Sequence, residues 1–262
     1  MKEDFVFKKK FGQNFISDKN LLNAIATDAE VSSDSQVLEI GAGAGSLTTV
    51  LSENAKKVVS FEIDKDLQQH LLDLNLQNVE FVFGDFMDCD LKDVEAKFDG
   101  DYKVVANLPY YITTPIIFKL LENSTKLDSL TIMVQKEVAE RVCAGVGGKD
   151  YGILTVMTNF YGTPKITRII KRQMFYPAPN VDSALLHIKL EKNKFADIDN
   201  AKFLKFIKSC FSMRRKTLLN NLGSVYAKEK LKATLGEEVL AKRAEAFSLD
   251  EFVEIFKKCQ SL

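Results

Sequence analysis

Short apolar runs and amphipathic stretches alternate along the first half of the chain. Gln36–Ile40 (QVLEI) is a brief apolar run that ends in glycines, and helical spacing follows over Ser46–Asn54. Val58–Ile63 predicts a second strand and Lys65–Leu74 a second helix. Val79–Phe83 and Lys103–Ala106 read as third and fourth strands, Thr114–Leu121 as a helix, and Leu130–Val134 as a fifth strand. Apolar runs of this length, separated by helical patterns, predict an α/β architecture with a mostly parallel, doubly wound sheet. Right-handed crossovers then gather the carboxyl ends of the strands on one rim, where such sheets bind ligands.

Beyond Gly162 the pattern changes. Lys165–Ile170 and Ser183–Leu190 (SALLHIKL) read as strands, separated by the proline-bearing stretch MFYPAPNVD. From about Asn193 only helical periodicity remains, ending in Leu249–Lys258. The expected division is a domain over 1–192 and a small all-α domain over 193–262, with the boundary near Glu191–Asp197.

Composition excludes several classes of function. No run of about 18 apolar residues occurs, so a membrane span is not expected, and the first residues lack the apolar core of a secretory signal. The four cysteines (Cys89, Cys143, Cys210, Cys259) are far apart and form no C-x-x-C, which argues against zinc or a disulfide framework and for a reducing cytoplasm. With only two histidines, His70 and His187, no metal site is expected and hydrolysis through a histidine base is disfavoured.

Net charge is zero, yet its distribution is uneven. Pro164–Gly223 holds thirteen Lys/Arg against four Asp/Glu, and Ala201–Gly223 holds six basic residues with no acid. Such a one-sided field suits phosphate binding, although charge runs are more often solvated helix faces.

The candidate chemistry lies at the strand ends. Glu39-Ile40-Gly41-Ala42-Gly43-Ala44-Gly45 carries glycines that let backbone turn tightly and approach a ligand. Alone this is weak evidence, because several cofactor classes use such a loop. Glu62, at the end of the second strand, is placed to accept hydrogen bonds from the two ribose hydroxyls of an adenosine-containing cofactor. That also fits NAD, so a nicotinamide dehydrogenase remains a rival at this point. Asp85, after the third strand, is placed to accept from the cofactor's adenine amine, though a lone turn aspartate is usually only that.

Asn107-Leu108-Pro109-Tyr110, after the fourth strand, tips the balance toward transfer to an amine. The amine of adenine delocalises its lone pair into the ring and is a poor nucleophile. Acceptors on its N–H bonds, from the Asn107 side chain and the Leu108 carbonyl, hold it nearer tetrahedral. Pro109 fixes the turn and brings no competing donor, and Tyr110 offers a ring face for the base. No strong base is needed when orientation carries the catalysis.

These motifs together resemble the small-subunit (16S) rRNA adenine dimethyltransferases (the KsgA group), and the bacterial members most of all. The resemblance runs through Lys10–Ile16 (KFGQNFI), Glu39–Thr48 (EIGAGAGSLT), Asn107–Pro115 (NLPYYITTP) and Met133–Arg141 (MVQKEVAER). Phe175–Ala184 (FYPAPNVDSA) and Phe211–Leu222 (FSMRRKTLLNNL) are the most specific parts. Ala42 stands where the group commonly has proline and Ile16 where leucine is usual, both mild changes. The loop Ala144–Lys149 (AGVGGK) lacks the proline expected there.

The resemblance implies a Rossmann-like class I methyltransferase sheet with an antiparallel strand near its end. It makes residues 1–16 a lid and S-adenosyl-L-methionine the cofactor, lined by Asn14, Ile16, Gly41, Gly43, Glu62, Asp85 and Asn107. Asn107, Leu108, Pro109, Tyr110 and Phe175 become the catalytic set, with Tyr110 and Phe175 sandwiching the target base. Lys205, Lys208, Arg214, Arg215 and Lys216 become phosphate contacts, which position RNA without reading its bases. The implied reaction is N(6)-dimethylation of two adjacent adenines in a hairpin near the 3′ end of small-subunit rRNA, by a cytoplasmic monomer acting on the assembling subunit. Rivals are the related large-subunit enzymes of antibiotic resistance and a non-catalytic assembly factor.

Overall fold

The structure is a computed structural model that describes residues 14–192 and 194–262. Residues 1–13, most of the expected lid, and Asn193 lie outside the described residues. In chain order the strands are β1 (Gln36–Ile40), β2 (Lys57–Glu62), β3 (Val79–Phe83), β4 (Tyr102–Asn107), β5 (Leu127–Gln135), β6 (Gly162–Ile170) and β7 (Ser183–Leu190). They form one sheet in the order β3-β2-β1-β4-β5-β7-β6. Pairs β1–β2, β2–β3, β1–β4 and β4–β5 are parallel, while β5–β7 is antiparallel. The doubly wound, mostly parallel sheet is the architecture that the apolar pattern predicts, and its late antiparallel strand is the one that the resemblance implies.

The helices around the sheet are α1 (Lys19–Asp28), α2 (Ser46–Asn54), α3 (Gln68–Asp73), α4 (Leu91–Glu95), α5 (Tyr110–Asn123) and α6 (Lys136–Val142). Capping chemistry explains starts that periodicity alone does not give. Asp18 accepts from the Leu21 amide to open α1, a helix whose buried face is Leu22, Ile25 and Ala26. At α5 the observed start is Tyr110, four residues ahead of the expected Thr114. Extended Pro109 stands at the cap position, and its fixed φ delivers the chain into the helix.

Chain direction changes sides between β1 and β4. From β1 the sheet grows through β2 to β3, and the chain then returns to β4 on the other flank of β1. The carboxyl ends at this switch point leave a crevice, the usual ligand site of open α/β sheets. Register keeps those ends level: Ile40 pairs with Ala106, and Glu62 with Phe83.

Two compact units emerge. The first holds the described residues up to Ala139 together with Lys165–Leu190, and the second holds Glu140–Pro164 with Glu191–Leu262. The second unit begins at Glu191 near the expected boundary, but it also takes in Glu140–Pro164, which the sequence pattern assigns to the first domain. The reason is packing within that unit. The Phe160 ring on α7 (Ile153–Tyr161) stacks on Phe195 and on Phe203 of α8 (Asn200–Cys210). Tyr151 donates to the Phe247 carbonyl at 2.8 Å, and the Gly147 amide donates to the Glu245 carbonyl at 2.9 Å. The remaining helices of this unit are α9 (Leu218–Leu222), α10 (Lys228–Leu235), α11 (Glu237–Ala241) and α12 (Leu249–Cys259). A Ser248/Glu251 capping box, acids in the first turn and Lys257 and Lys258 in the last all favour α12.

Candidate active site

One cavity opens at the carboxyl ends of β1 to β4, wholly within the first unit. Asn14, Ile16, Gly41, Gly43, Glu62, Asp85, Asn107, Leu108 and Pro109 all line it. Four separate stretches of sequence, each ending a strand, therefore meet at one place, joined by the segment before α1.

The glycine loop shows why glycine is needed. Gly41 has φ +86°, and a Cβ there would meet the Asn107 carbonyl oxygen at 3.4 Å. That contact would be ordinary, so it is the left-handed φ that calls for glycine at the end of β1. Gly43 has φ +56°, and its missing Cβ would stand 3.0 Å from the Phe15 ring.

Glu62 is buried and held by backbone. Its Oε2 accepts from the Gly43 amide at 2.7 Å and its Oε1 from the Asp64 amide at 2.8 Å. Burial pushes its carboxyl above the usual range, and the two amides oppose that shift. Each oxygen keeps a further lone pair for a ligand hydroxyl. Behind it lies Glu39, fully buried, whose Oε2 accepts from Thr48 on α2 at 2.6 Å and from Ser60 on β2 at 2.5 Å. Burial pushes the Glu39 carboxyl up to about 7, and its Oε1 has no partner. Glu39 thus ties the first turn of α2 to β2, the strand that ends in Glu62.

At the third strand end, Asp85 Oδ1 accepts from the Met87 amide at 2.8 Å, forming a local turn. At the fourth, the Asn107 amide nitrogen donates to the Asn14 carbonyl at 2.9 Å. This bond fixes the orientation of the amide and leaves its oxygen as the acceptor for another group.

The aromatic residues fall differently from the expected sandwich. Tyr110 does not line the cavity; its hydroxyl meets Ser183 Oγ on β7 at 2.8 Å. Phe175 is 4% exposed and belongs to the hydrophobic core with Ile16, Leu22, Ile25 and Leu185. The structure does not bring the two rings together as walls of the cavity. Tyr111 does line it and is 67% exposed, and Tyr176 is equally exposed. Helix geometry accounts for the first exchange, since successive residues of α5 point about 100° apart. A helix begun at Pro109 would have separated Tyr110 from Tyr111 in the sequence; one begun at Thr114 does not. Nothing in the composition signals Phe15, Phe61 or Phe86, which also line the cavity. Phe15 is held there by a backbone bridge, its amide donating to the Tyr176 carbonyl and its carbonyl accepting from the Tyr176 amide, both at 2.9 Å.

The lining contains carboxylates and no Lys, Arg or His among the described residues. Such a wall suits a ligand with a cationic centre. Two acids on strand ends, a glycine turn and apolar surfaces from Phe61 and Phe86 fit S-adenosyl-L-methionine in these terms.

A family model for ribosomal RNA adenine dimethylase matches residues 4–261. The chain belongs to that family. It is 41% identical to the ribosomal RNA small subunit methyltransferase A of Listeria monocytogenes, covering 97% of this chain and 91% of the relative. It is 42% identical to that of Fusobacterium nucleatum, covering 97% and 98%. A dimethyladenosine transferase from Plasmodium falciparum superposes with a TM-score of 0.81 at 26% identity, covering 94% of this chain and 98% of the other. The 23S rRNA methyltransferase ErmE gives 0.70 at 26% identity, covering 94% and 100%. The enzyme is an S-adenosylmethionine-dependent rRNA adenine dimethyltransferase, and the rivalry with a nicotinamide dehydrogenase ends here.

The expected RNA contacts all lie in the second unit. Lys205 and Lys208 project from α8 opposite its buried face of Phe203, Phe206, Ile207 and Cys210. Arg214, Arg215 and Lys216 are exposed in the turn before α9. Arg214 also has partners within its own unit: it donates to the Lys149 carbonyl and lies 3.4 Å from Glu245. With the Gly147–Glu245 bond, that contact fixes the loop Ala144–Lys149. Among the described residues no helix is long and apolar enough to cross a membrane.

Proposed function

We propose that the enzyme dimethylates N(6) of two adjacent adenines in a hairpin near the 3′ end of small-subunit rRNA. It does so as a cytoplasmic monomer acting on the assembling subunit. The observation that carries the chemistry is the presence of Asn107, Leu108 and Pro109 in the same cavity wall as Glu62 and Asp85. What supports the small subunit is 41–42% identity over almost the whole chain to enzymes named for it.

S-adenosyl-L-methionine supplies an electrophilic methyl group on its sulfonium. Glu62 takes the ribose hydroxyls, Asp85 the cofactor's adenine amine, and Gly41 and Gly43 admit its chain close to backbone. Asn14 and Ile16 close the cavity from the N-terminal side. The Asn107 side-chain oxygen and the Leu108 carbonyl accept the two N–H bonds of the target amine and direct its lone pair. Pro109 keeps the turn free of a competing donor. The target base leaves its stack to reach the site. Tyr110 and Phe175 sandwich it once Phe175 turns its ring out of the core, a movement the buried position of that ring requires. Lys205, Lys208, Arg214, Arg215 and Lys216 hold phosphates.

Radiolabelled methyl transfer into undermethylated small subunits, large subunits and naked rRNA tests this reading. Label confined to two adjacent adenines of the small-subunit hairpin is expected. Label in large-subunit rRNA alone would assign the enzyme to the antibiotic-resistance type, and binding without label to a non-catalytic assembly role.

A further inference from the structure

Lys119 lies on the third turn of α5 and does not line the cavity. Its ammonium group donates to three backbone carbonyls, those of Phe86 at 2.9 Å, Met87 at 2.8 Å and Cys89 at 2.6 Å. All three N–H donors of a lysine are thereby used on one turn of chain. The same nitrogen stands 5.3 Å from the centroid of the Phe86 ring, within cation–π range. The turn it grips begins at Asp85. Asp85 Oδ1 accepts from the Met87 amide at 2.8 Å, and the Asp88 amide donates to the Asp85 carbonyl at 3.1 Å. Phe86, buried and in edge contact with Phe61 at 5.2 Å, lines the cavity beside Asp85.

A surface lysine has no need of three convergent carbonyls, and half-burying an ammonium group costs desolvation that only such bonds offset. The consequence is geometric. The turn cannot open without breaking three charge-assisted hydrogen bonds, so the Asp85 carboxylate and the Phe86 ring keep one position relative to β3. The helix that supplies Lys119 is the one that follows Asn107-Leu108-Pro109, so one element serves both ends of the cavity.

We propose that Lys119 is a positioning residue that sets the Asp85 carboxylate for the adenine amine of the cofactor. This rests on Asp85 accepting from that adenine's amine, as proposed above. Lys119 touches neither cofactor nor substrate; it acts through the turn.

The test is calorimetric titration with two probes: S-adenosylhomocysteine, and its analogue whose base is unsubstituted purine and lacks the amine. The wild-type enzyme should favour the first by roughly tenfold or more, the ratio expected for one hydrogen bond to a charged acceptor. Lys119→Met should lose most of that preference while binding the purine analogue nearly as tightly as wild type. Lys119→Arg, which keeps the charge and several donors, should recover much of the preference. Equal weakening toward both probes would make Lys119 a general structural residue and overturn the proposal, as would a preference left intact. Should Lys119→Met not fold, the same ratio is read on Lys119→Gln, which keeps a donor but loses the charge; an unchanged ratio there overturns the proposal too. Asp85→Ala separates the two levels of the argument. A wild-type preference in that variant removes Asp85 from the adenine site, whereas its loss in Asp85→Ala with retention in Lys119→Met defeats the role of Lys119 alone.

Discussion

The two ends of the cavity are built in different ways. At the cofactor end, Glu62 is fixed by amides of residues 43 and 64, and Glu39 locks the turn behind it to α2 and β2. Each part lies on or next to a strand end, within about thirty residues of its partners. At the target end, Asn107 is oriented by the carbonyl of Asn14, Tyr110 is anchored to Ser183, and Phe15 is bridged to Tyr176. These residues come from three distant parts of the chain. The cofactor end is a rigid cradle formed by the sheet. The proposed target end draws on aromatic residues in three settings: Phe175 in the core, Phe15 and Tyr110 half-buried, and Tyr111 and Tyr176 open to solvent. On the proposed roles, the cofactor end is preformed, whereas the Phe175 ring has to leave the core before it can stack on a base.

The most severe test of this contrast is Asn107→Ala. Removing one of two acceptors on the target amine takes away orientation and transition-state stabilisation together. A preorganised hydrogen bond of that kind is typically worth about 2.7–4 kcal/mol, a loss on the order of a hundredfold to a thousandfold in turnover. RNA affinity should persist, because the phosphate contacts proposed above lie in the second unit. Single-turnover methylation run beside a binding assay separates the effects, and a near-wild-type rate would remove the amine-orienting role.

Glu62→Ala attacks the other end. Two ribose hydrogen bonds to a carboxylate should together be worth about 2–4 kcal/mol of cofactor affinity, from roughly 1.5–3 each with imperfect additivity. The Gly43 and Asp64 amides lose their acceptor as well, so Glu62→Gln is the sharper probe. It retains acceptor oxygen and should weaken cofactor binding less than alanine does. Titration of both variants with S-adenosylmethionine reads the difference, and wild-type affinity in Glu62→Ala would place the ribose elsewhere.

The same contrast explains what the sequence makes legible. Strand ends, the glycine turn, Glu62 and Asp85 follow from apolar runs and residue spacing, because local geometry alone brings them to one rim. Asn107 is legible by type and position, but its partner Asn14 is not, since no spacing rule links residues 93 apart. Phe175 is a different case. A phenylalanine before a proline-bearing loop reads equally as a stacking platform or as core, and only packing against Ile16 and Leu185 decides its resting place. Glu140–Pro164 escapes the pattern for the same reason: Phe160 could have packed under either unit, and its ring contacts lie with Phe195 and Phe203.

The smallest predicted effect concerns the foundation of the cofactor end. Glu39 is fully buried, receives two hydroxyl hydrogen bonds on one oxygen, and has no partner on the other. Desolvation raises its carboxyl from 4.5 to about 7, with the nearby Glu62 adding to the rise and Ser60 and Thr48 opposing it. The folded state therefore holds this proton more tightly than the unfolded chain does. Stability from the protonated acid is fully present below about pH 4.5 and is lost as pH rises through about 7. Most of the part accessible near neutrality, on the order of 1 kcal/mol, disappears between pH 6 and pH 8. Glu39→Gln keeps the shape and removes the titration. Its own offset in stability should not vary with pH, so the wild-type enzyme should lose ground to it by about that amount across this range. Denaturant midpoints measured for both proteins from pH 6 to pH 8 give the comparison directly. Parallel profiles would mean that Glu39 is ionised in the fold at pH 6, and that the cradle rests on a buried charge instead of a neutral hydrogen-bonded acid.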